Sequence, residues 1–287
     1  MILSFHPCLE ADVQVVLGSR KVSEEDVRLM ERAEAVILPQ GCSRDLWEAS
    51  VRAGPPVFPF YDMRFRYPGK RGQSLLFERY DLPHPHTRRW DSVAHFRAVQ
   101  ENRGALPHGL PFMAKQDQEH EGRGVFFVED GRSLEAALEA LERKERSGLE
   151  GFITQEYVPT GAEVLRVVLM GERMVDYWKR PADPSQVITT VGRGAVIDHE
   201  GSPELREKGR TLTRSLGHKT GINLAAMDFV FSPGREGEGR EPLLLEINYF
   251  FGRRGLGGTE AFYRLLYEQV RRWLQERGLD PGAVKLL

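Results

Sequence analysis

Ala226-Met227-Asp228-Phe229-Val230-Phe231 and Leu243-Leu244-Leu245-Glu246-Ile247-Asn248 are the two segments on which the reading of this chain turns. Both are apolar runs of strand length. The Gly/Glu-rich stretch from Pro233 to Glu241 between them reads as an exposed hairpin loop, so the two runs are expected to be adjacent strands. In a strand, residues i and i+2 share a face. Glu246 and Asn248 therefore offer a carboxylate and an amide oxygen side by side, and pairing brings Asp228 to them. Hard oxygen donors with room left for water and phosphate suit a magnesium–nucleotide site. An ordinary salt bridge at a strand edge is the other reading, although an acid within an apolar strand is costly unless paired or metal-bound.

Around these strands the pattern is α+β. Val164–Met170 and Arg173–Lys179 flank Gly171-Glu172, a two-residue hairpin signal. Ser202-Pro203 starts a helix that Gly221 ends. Thr259–Arg277 is strongly amphipathic and is stopped by Gly278 and Pro281. Upstream, Phe112–Lys115, Val125–Val128 and Phe152–Glu156 read as strands, with a helix capped by Ser133 before the last. Lys115 ends its strand beside a polar loop holding Gly122 and Gly124. A lysine beside free backbone amides holds phosphate oxygens, and a lysine snorkelling from a strand end has the same local pattern. Gln155-Glu156-Tyr157-Val158 closes a strand before Pro159, where backbone groups could read an adenine edge and Glu163 could accept a ribose hydroxyl. A strand running into a turn fits these residues equally well.

The first 60 or so residues alternate short apolar runs (Met1–Phe5, Val13–Leu17, Ala35–Leu38, Val57–Phe60) with helices opened by Ser23 and Ser43. That is the pattern of a small parallel sheet with crossovers. The Pro-, Arg- and His-rich stretch that follows, with a short helix over Arg71–Tyr80, reads as a bridge, and Asp91–Arg103 as a helix. The expected organisation is 1–62, an abbreviated α/β domain; 63–90, a linker; 91–158, one α+β subdomain; and 159–287, a second.

Composition narrows the classes. Lys plus Arg number 40 against 42 Asp plus Glu, a net charge of -2, so no whole-molecule basic field exists to grip nucleic acid. No uncharged apolar run approaches the ~18 residues needed to span a bilayer, and Met1–Pro7 lack the features of a signal peptide. Cys8 and Cys42 make no disulfide framework. A cytoplasmic protein without nucleic-acid or membrane partners is the expectation. Neither G-x-x-x-x-G-K-[ST] nor G-x-G-x-x-G occurs, which argues against a P-loop ATPase and a dinucleotide oxidoreductase.

Taken in order, Lys70, Lys115 with its glycine loop, Gln155-Glu156-Tyr157-Val158, Asp228 and Glu246-x-Asn248 resemble the ATP-grasp superfamily. The branch with glutathione synthetase and the ribosomal-protein glutamate ligases looks most similar, over roughly residues 66–275. The resemblance implies an ATP-grasp fold of two α+β subdomains preceded by a short parallel-sheet domain. It also implies an ATP- and Mg²⁺-dependent carboxylate–amine (or carboxylate–thiol) ligase working through an acyl phosphate. Lys70, Lys115, Gly122, Gly124, residues 155–158 and Glu163 would bind ATP. Asp228, Glu246 and Asn248 would hold one or two Mg²⁺ ions, with Mn²⁺ as an alternative. Arg193, in Arg193-Gly194, and Arg180 would act on the transferred phosphate. Arg166, Arg253 and Arg254 are candidates for the substrate, although the last two also read as a solvated basic loop. The substrates would be small-molecule or peptide carboxylates and amines, and homo-oligomers are common in such families.

The chain also departs from the pattern. Where the family continues Asn-x-x-Pro-Gly, this sequence reads Asn248-Tyr249-Phe250-Phe251-Gly252-Arg253-Arg254. The flap carries Glu119, His120 and Glu121, placing acid near a polyanion, and Thr189-Thr190 stand near where an asparagine is often found. These departures motivate the rival readings: an ATP-binding protein without ligase activity, regulatory or scaffolding, or a phosphotransferase.

Overall fold

Alternate residues of the first strand end in different hydrophobic cores, and that alternation organises much of the molecule. The computed structural model describes residues 1–119, 122–183, 186–187, 189, 194–232 and 239–287. The N-terminal part consists of β1 (Ile2–Ser4), β2 (Leu9–Glu10), β3 (Val13–Gln14), α1 (Glu24–Arg32), β4 (Ala35–Ile37), α2 (Arg44–Ala53) and β5 (Val57–Phe58). Four of these strands form a parallel sheet in the order β3-β1-β4-β5. Leu3 and Val36 pack into one core while Ile2, Ala35 and Ile37 pack into another, so both faces are covered, as parallel sheets require. α1 begins with the expected capping box, in which Ser23 and Asp26 satisfy each other's backbone N–H.

The next segment holds α3 (Asp62–Arg66) and α4 (Gly69–Arg79), then β6 (Thr87–Trp90), α5 (Val93–Arg103), β7 (Phe112–Gln116), β8 (Val125–Val128), α6 (Gly131–Arg146) and β9 (Phe152–Glu156). Its antiparallel sheet runs β6-β9-β7-β8 and has a core of its own, including Trp90, Phe96, Phe112, Leu138 and Phe152. β6 lies within the stretch read from sequence as a linker, yet it pairs with β9 through Thr87↔Gln155 and Trp90↔Phe152. α6 is capped by Asp130 rather than Ser133. Ser133 is the third helical residue and answers Asp130 in a capping box.

The last segment supplies β10 (Val164–Met170), β11 (Arg173–Arg180), β12 (Val196–Asp198), α7 (Pro203–Thr220), β13 (Leu224–Phe231), β14 (Pro242–Asn248), α8 (Thr259–Gln275) and β15 (Lys285–Leu286). Its five-stranded sheet runs β12-β11-β10-β13-β14, with the hairpin turn at Gly171-Glu172 and β13 antiparallel to β14 as the sequence implied. Leu165, Val167, Met227 and Phe229 from this sheet share a core with Leu3, Val36, Trp47 and Leu76. On the opposite side, Phe262, Val270 and Trp273 of α8 pack with Ile2, Ile37 and Val168. β15 returns to pair with β2. The N-terminal sheet and the last segment are thus built around common cores, while the β6–β9 unit stands on its own. No described helix is long and apolar enough to cross a membrane.

Candidate functional site

Between the β6-β9-β7-β8 unit and the sheet ending in β14 lies a cleft of about 980 Å³. One wall carries Lys70, Lys115, Gly122 and residues 155–158; the other carries Arg166, Asp228, Glu246 and Asn248. The basic groups from the front of the chain and the oxygen donors from its last third therefore face a common space.

The position of the second wall follows from sheet register. Tyr177, Arg166, Asp228 and Glu246 stand opposite one another on four successive strands, so they form a cross-strand row on one face. Within it Arg166 grips Asp228 through two bonds, Nε to Oδ1 and Nη2 to Oδ2, both 2.8 Å. Lys179 donates to Oδ2 at 2.9 Å and Asn248 Nδ2 at 3.3 Å. Burial pushes the Asp228 carboxyl up, but Arg166 and Lys179 outweigh it and hold the group well below the usual carboxylate range. Glu246 is different: among the described residues it makes no ion pair, and it faces the cleft half-buried.

No group of three or more His, Cys, Asp and Glu placed to hold a metal occurs among the described residues. The donor set available is the unpaired Glu246 carboxylate, the Asn248 amide oxygen left over when its Nδ2 bonds Asp228, and the remaining lone pairs of Asp228. These are hard oxygens, too few to enclose a cation alone. They fit Mg²⁺, which keeps waters and shares its shell with nucleotide phosphates. They fit a dedicated all-protein cage poorly.

The first wall is built by Gly69 and Asp117. Gly69 opens α4 at φ +68°, and a Cβ there would lie 2.5 Å from the Asp117 carboxylate. That close approach lets Asp117 accept from Arg71 N at 2.7 Å, and its carbonyl from Lys70 N at 3.2 Å, tethering the helix start to the end of β7. Lys70, 9% exposed, donates its ammonium to the Glu119 carbonyl. The Glu119 carboxylate turns to Lys144 on α6, so the flap acid foreseen as a repulsive neighbour is neutralised. His120 and Glu121 lie outside the described residues. Lys115 donates to Gln155 Oε1 at 2.6 Å. Burial lowers it to about 8, with Glu246 opposing the fall.

Other expected residues are placed differently. Gln155 spends its side chain on Lys115 and Thr87, so it braces the lysine. Glu156 N donates to His86 O at 2.9 Å, so this hinge N–H is already bonded. Tyr157 and Val158 line the cleft, as do Met113, Val125 and Leu245, which supply the kind of apolar lining a base would enter. Gly124 stands behind Gln116 and Glu119 and is absent from the lining. Glu163 and Arg180 are also absent from it: they pair with each other, and Arg180 Nε donates to Asp198 at 2.8 Å. The reason is register. Val164 pairs with Lys179, so the next pair outward falls on the opposite face from the cleft. Lys179, one residue before the expected Arg180, is the cation that enters the site. Counting back from the Gly171-Glu172 turn would have found it. Arg253 and Arg254 line the cleft, with Arg253 stacked over Phe262 and Tyr263 at 4.7 and 4.5 Å. Arg193 and Thr190 lie outside the described residues; Thr189 is buried in the lining.

No protein-family model matches the chain, and no curated protein matches its sequence. Solved structures do match. A RimK domain ATP-grasp protein from Sphaerobacter thermophilus aligns at 17% identity over 89% of this chain and 94% of that one, with a TM-score of 0.52. A D-alanine–D-alanine ligase from Helicobacter pylori aligns at 15% identity over 82% of this chain and 71% of that one, TM-score 0.57. A carboxyaminoimidazole ribonucleotide synthase from Aspergillus clavatus, complexed with ATP, aligns at 17% identity over 86% of this chain and 62% of that one, TM-score 0.52. The chain is thus shorter than some of the proteins whose fold it shares.

Proposed function

Starting from the ATP-grasp fold, which this chain has, we propose that it is an ATP- and Mg²⁺-dependent ligase joining a carboxylate to an amine, or to a thiol, through an acyl phosphate. One observation carries the reading: Lys70 and Lys115 face Glu246, Asn248 and Asp228 across a single cleft with an apolar slot at residues 157–158.

In this reading the base enters the slot beside Met113, Val125 and Leu245, and the two lysines hold the phosphates. Glu246 and Asn248, with Asp228 behind them, would hold Mg²⁺. A metal held there would neutralise charge on the nucleotide phosphates. Arg166 and Lys179 fix Asp228 as an anion and keep the row rigid, so that positioning and electrostatics carry the catalysis. Gly122, at φ +72° in the lining, gives the flap the backbone freedom to close over the phosphates and exclude water from the acyl phosphate.

The test is ADP release with pairs of carboxylates and amines, run with and without hydroxylamine. A hydroxamate supports the acyl phosphate. ADP release that never depends on a carboxylate refutes the ligase. A second reading is favoured by the engagement of Asp228 with two cations, which leaves Glu246 as the acid of the cross-strand row without an ion pair among the described residues. It is a nucleotide-binding protein without ligation, and tight Mg²⁺-nucleotide binding without turnover across the screen would select it.

A further inference from the structure

One end of the cleft is lined by an arginine and a tyrosine whose polar groups the described residues do not fully satisfy. Arg64, on α3, lines the cleft with Tyr249. Its guanidinium lies over the rings of Tyr61 and Phe65 at 5.2 and 4.9 Å and donates one N–H to the Gln40 carbonyl at 3.2 Å. It makes no ion pair among the described residues. Tyr249 directly follows Asn248, and its ring meets that of Tyr61 edge-on at 6.4 Å. The residue is 9% exposed and its hydroxyl has no hydrogen-bond partner among the described residues. Gln40, behind Arg64 and outside the lining, is 5% exposed, and among the described residues neither its Nε2 nor its Oε1 has a hydrogen-bond partner.

Each buried polar atom left unpaired costs about 1–3 kcal/mol, and folded proteins keep few of them. Two such side chains, Tyr249 and Gln40, lie close to one stacked arginine, and Arg64 and Tyr249 are the members of this group that line the cleft, where a ligand approaches. On the lining, the groups are mainly donors: the remaining N–H groups of a planar guanidinium, with a phenol beside it. The ligand group that matches them is an acceptor-only fork, a carboxylate. Stacking on two rings holds the guanidinium edge in advance, which favours a bidentate pair. A carboxylate held that way is stabilised as an anion and is a poor nucleophile toward phosphorus. It is therefore a spectator group, distinct from the carboxylate that reacts.

We propose that Arg64, supported by Tyr249, anchors a non-reacting carboxylate of the substrate, so that the substrate of this cleft is a dicarboxylate. The proposal rests on the ligase reading for the role of the second carboxylate. Arg64 was not singled out in the sequence, because a lone arginine in a Pro- and Arg-rich bridge carries no pattern.

The experiment titrates glutarate and butyrate, as a dicarboxylate and a monocarboxylate of similar length, into the wild-type chain with and without Mg²⁺ and a non-hydrolysable ATP analogue. Glutarate should bind about tenfold more tightly than butyrate, the worth of one charge-assisted hydrogen-bonded group. That preference should disappear in Arg64→Met and shrink in Tyr249→Phe. Arg64→Lys keeps the charge but loses the fork, and should also lose most of it. The ATP analogue should bind wild type and Arg64→Met alike, which shows the variant is folded. Equal binding of glutarate and butyrate by the wild type, or a glutarate preference that survives Arg64→Met, overturns the proposal. Failure of the analogue to bind wild type refutes the nucleotide reading instead, and the nucleotide-free glutarate arm still decides the Arg64 site.

Discussion

The side-chain amide of Gln73 closes both backbone hydrogen bonds of Ile247: Nε2 donates to the carbonyl at 2.8 Å, and the Ile247 N–H donates to Oε1 at 2.8 Å. Ile247 sits between Glu246 and Asn248 on the edge strand β14, and Gln73 lies one helical turn after Lys70 on α4. One side chain thus ties the lysine wall to the oxygen-donor wall and occupies an exposed strand edge. Gln73→Leu leaves two backbone groups unpaired and should cost about 1–3 kcal/mol. Urea denaturation reads that loss. A parallel loss of affinity for the Mg²⁺-bound ATP analogue would show that the tie also sets the distance between the walls.

Asp228 and Glu246 are register partners with opposite circumstances, one neutralised by cations and the other without an ion pair among the described residues. Glu246→Gln removes charge without breaking an ion pair, so the fold should be kept with a stability change within about 0.5 kcal/mol. Nucleotide affinity in this variant should no longer improve when Mg²⁺ is added. Calorimetric titrations with and without the metal measure this, and an unchanged metal dependence would remove Glu246 from the site.

Asp228→Ala should behave in the opposite way. It strands Arg166 and Lys179, 13% and 6% exposed at their side chains, without their anion. Breaking a buried pair by removing one partner costs about 3–5 kcal/mol. Denaturant midpoints should therefore fall sharply even with no nucleotide present.

Lys115 carries a pH signature. Its value falls from the ordinary 10.5 to about 8, chiefly through burial. A depressed folded value means the associated stability is fully present above 10.5 and is lost as pH falls through about 8, where the buried amine must charge. Phosphate binding favours the charged form, so near pH 8 nucleotide binding should take up a proton. Titrations in buffers of different ionisation enthalpy should show uptake in wild type and none at this site in Lys115→Met.

Gly69→Ala tests the helix tether. The residue is at φ +68° and its Cβ would meet the Asp117 carboxylate at 2.5 Å. The change should cost about 1–3 kcal/mol and move Lys70, so weaker binding of the ATP analogue should accompany the lower melting temperature.

Much of the site was legible because it is encoded by strand periodicity. Glu246 and Asn248 share a face by the alternation of any strand, and a hairpin turn at Gly171-Glu172 settles which residues of β10 and β11 oppose each other. The same arithmetic points to Lys179, where the family resemblance chose Arg180. The edge strand β6 was hidden in a bridge of prolines and charged residues, since its pairing partner β9 lies more than 60 residues away.

By itself, the order of apolar runs, turns and oxygen donors along the chain determined an α+β fold with Glu246 and Asn248 on one strand face, since local periodicity and turn chemistry act between near neighbours. Only the tertiary structure decided how the charges are spent: Asp228 on Arg166 and Lys179, Glu119 on Lys144, Glu163 on Arg180, and Glu246 on no described residue. The energy of a charge depends on burial and on partners a few ångströms away in space, and those distances come into being only when the sheets pack.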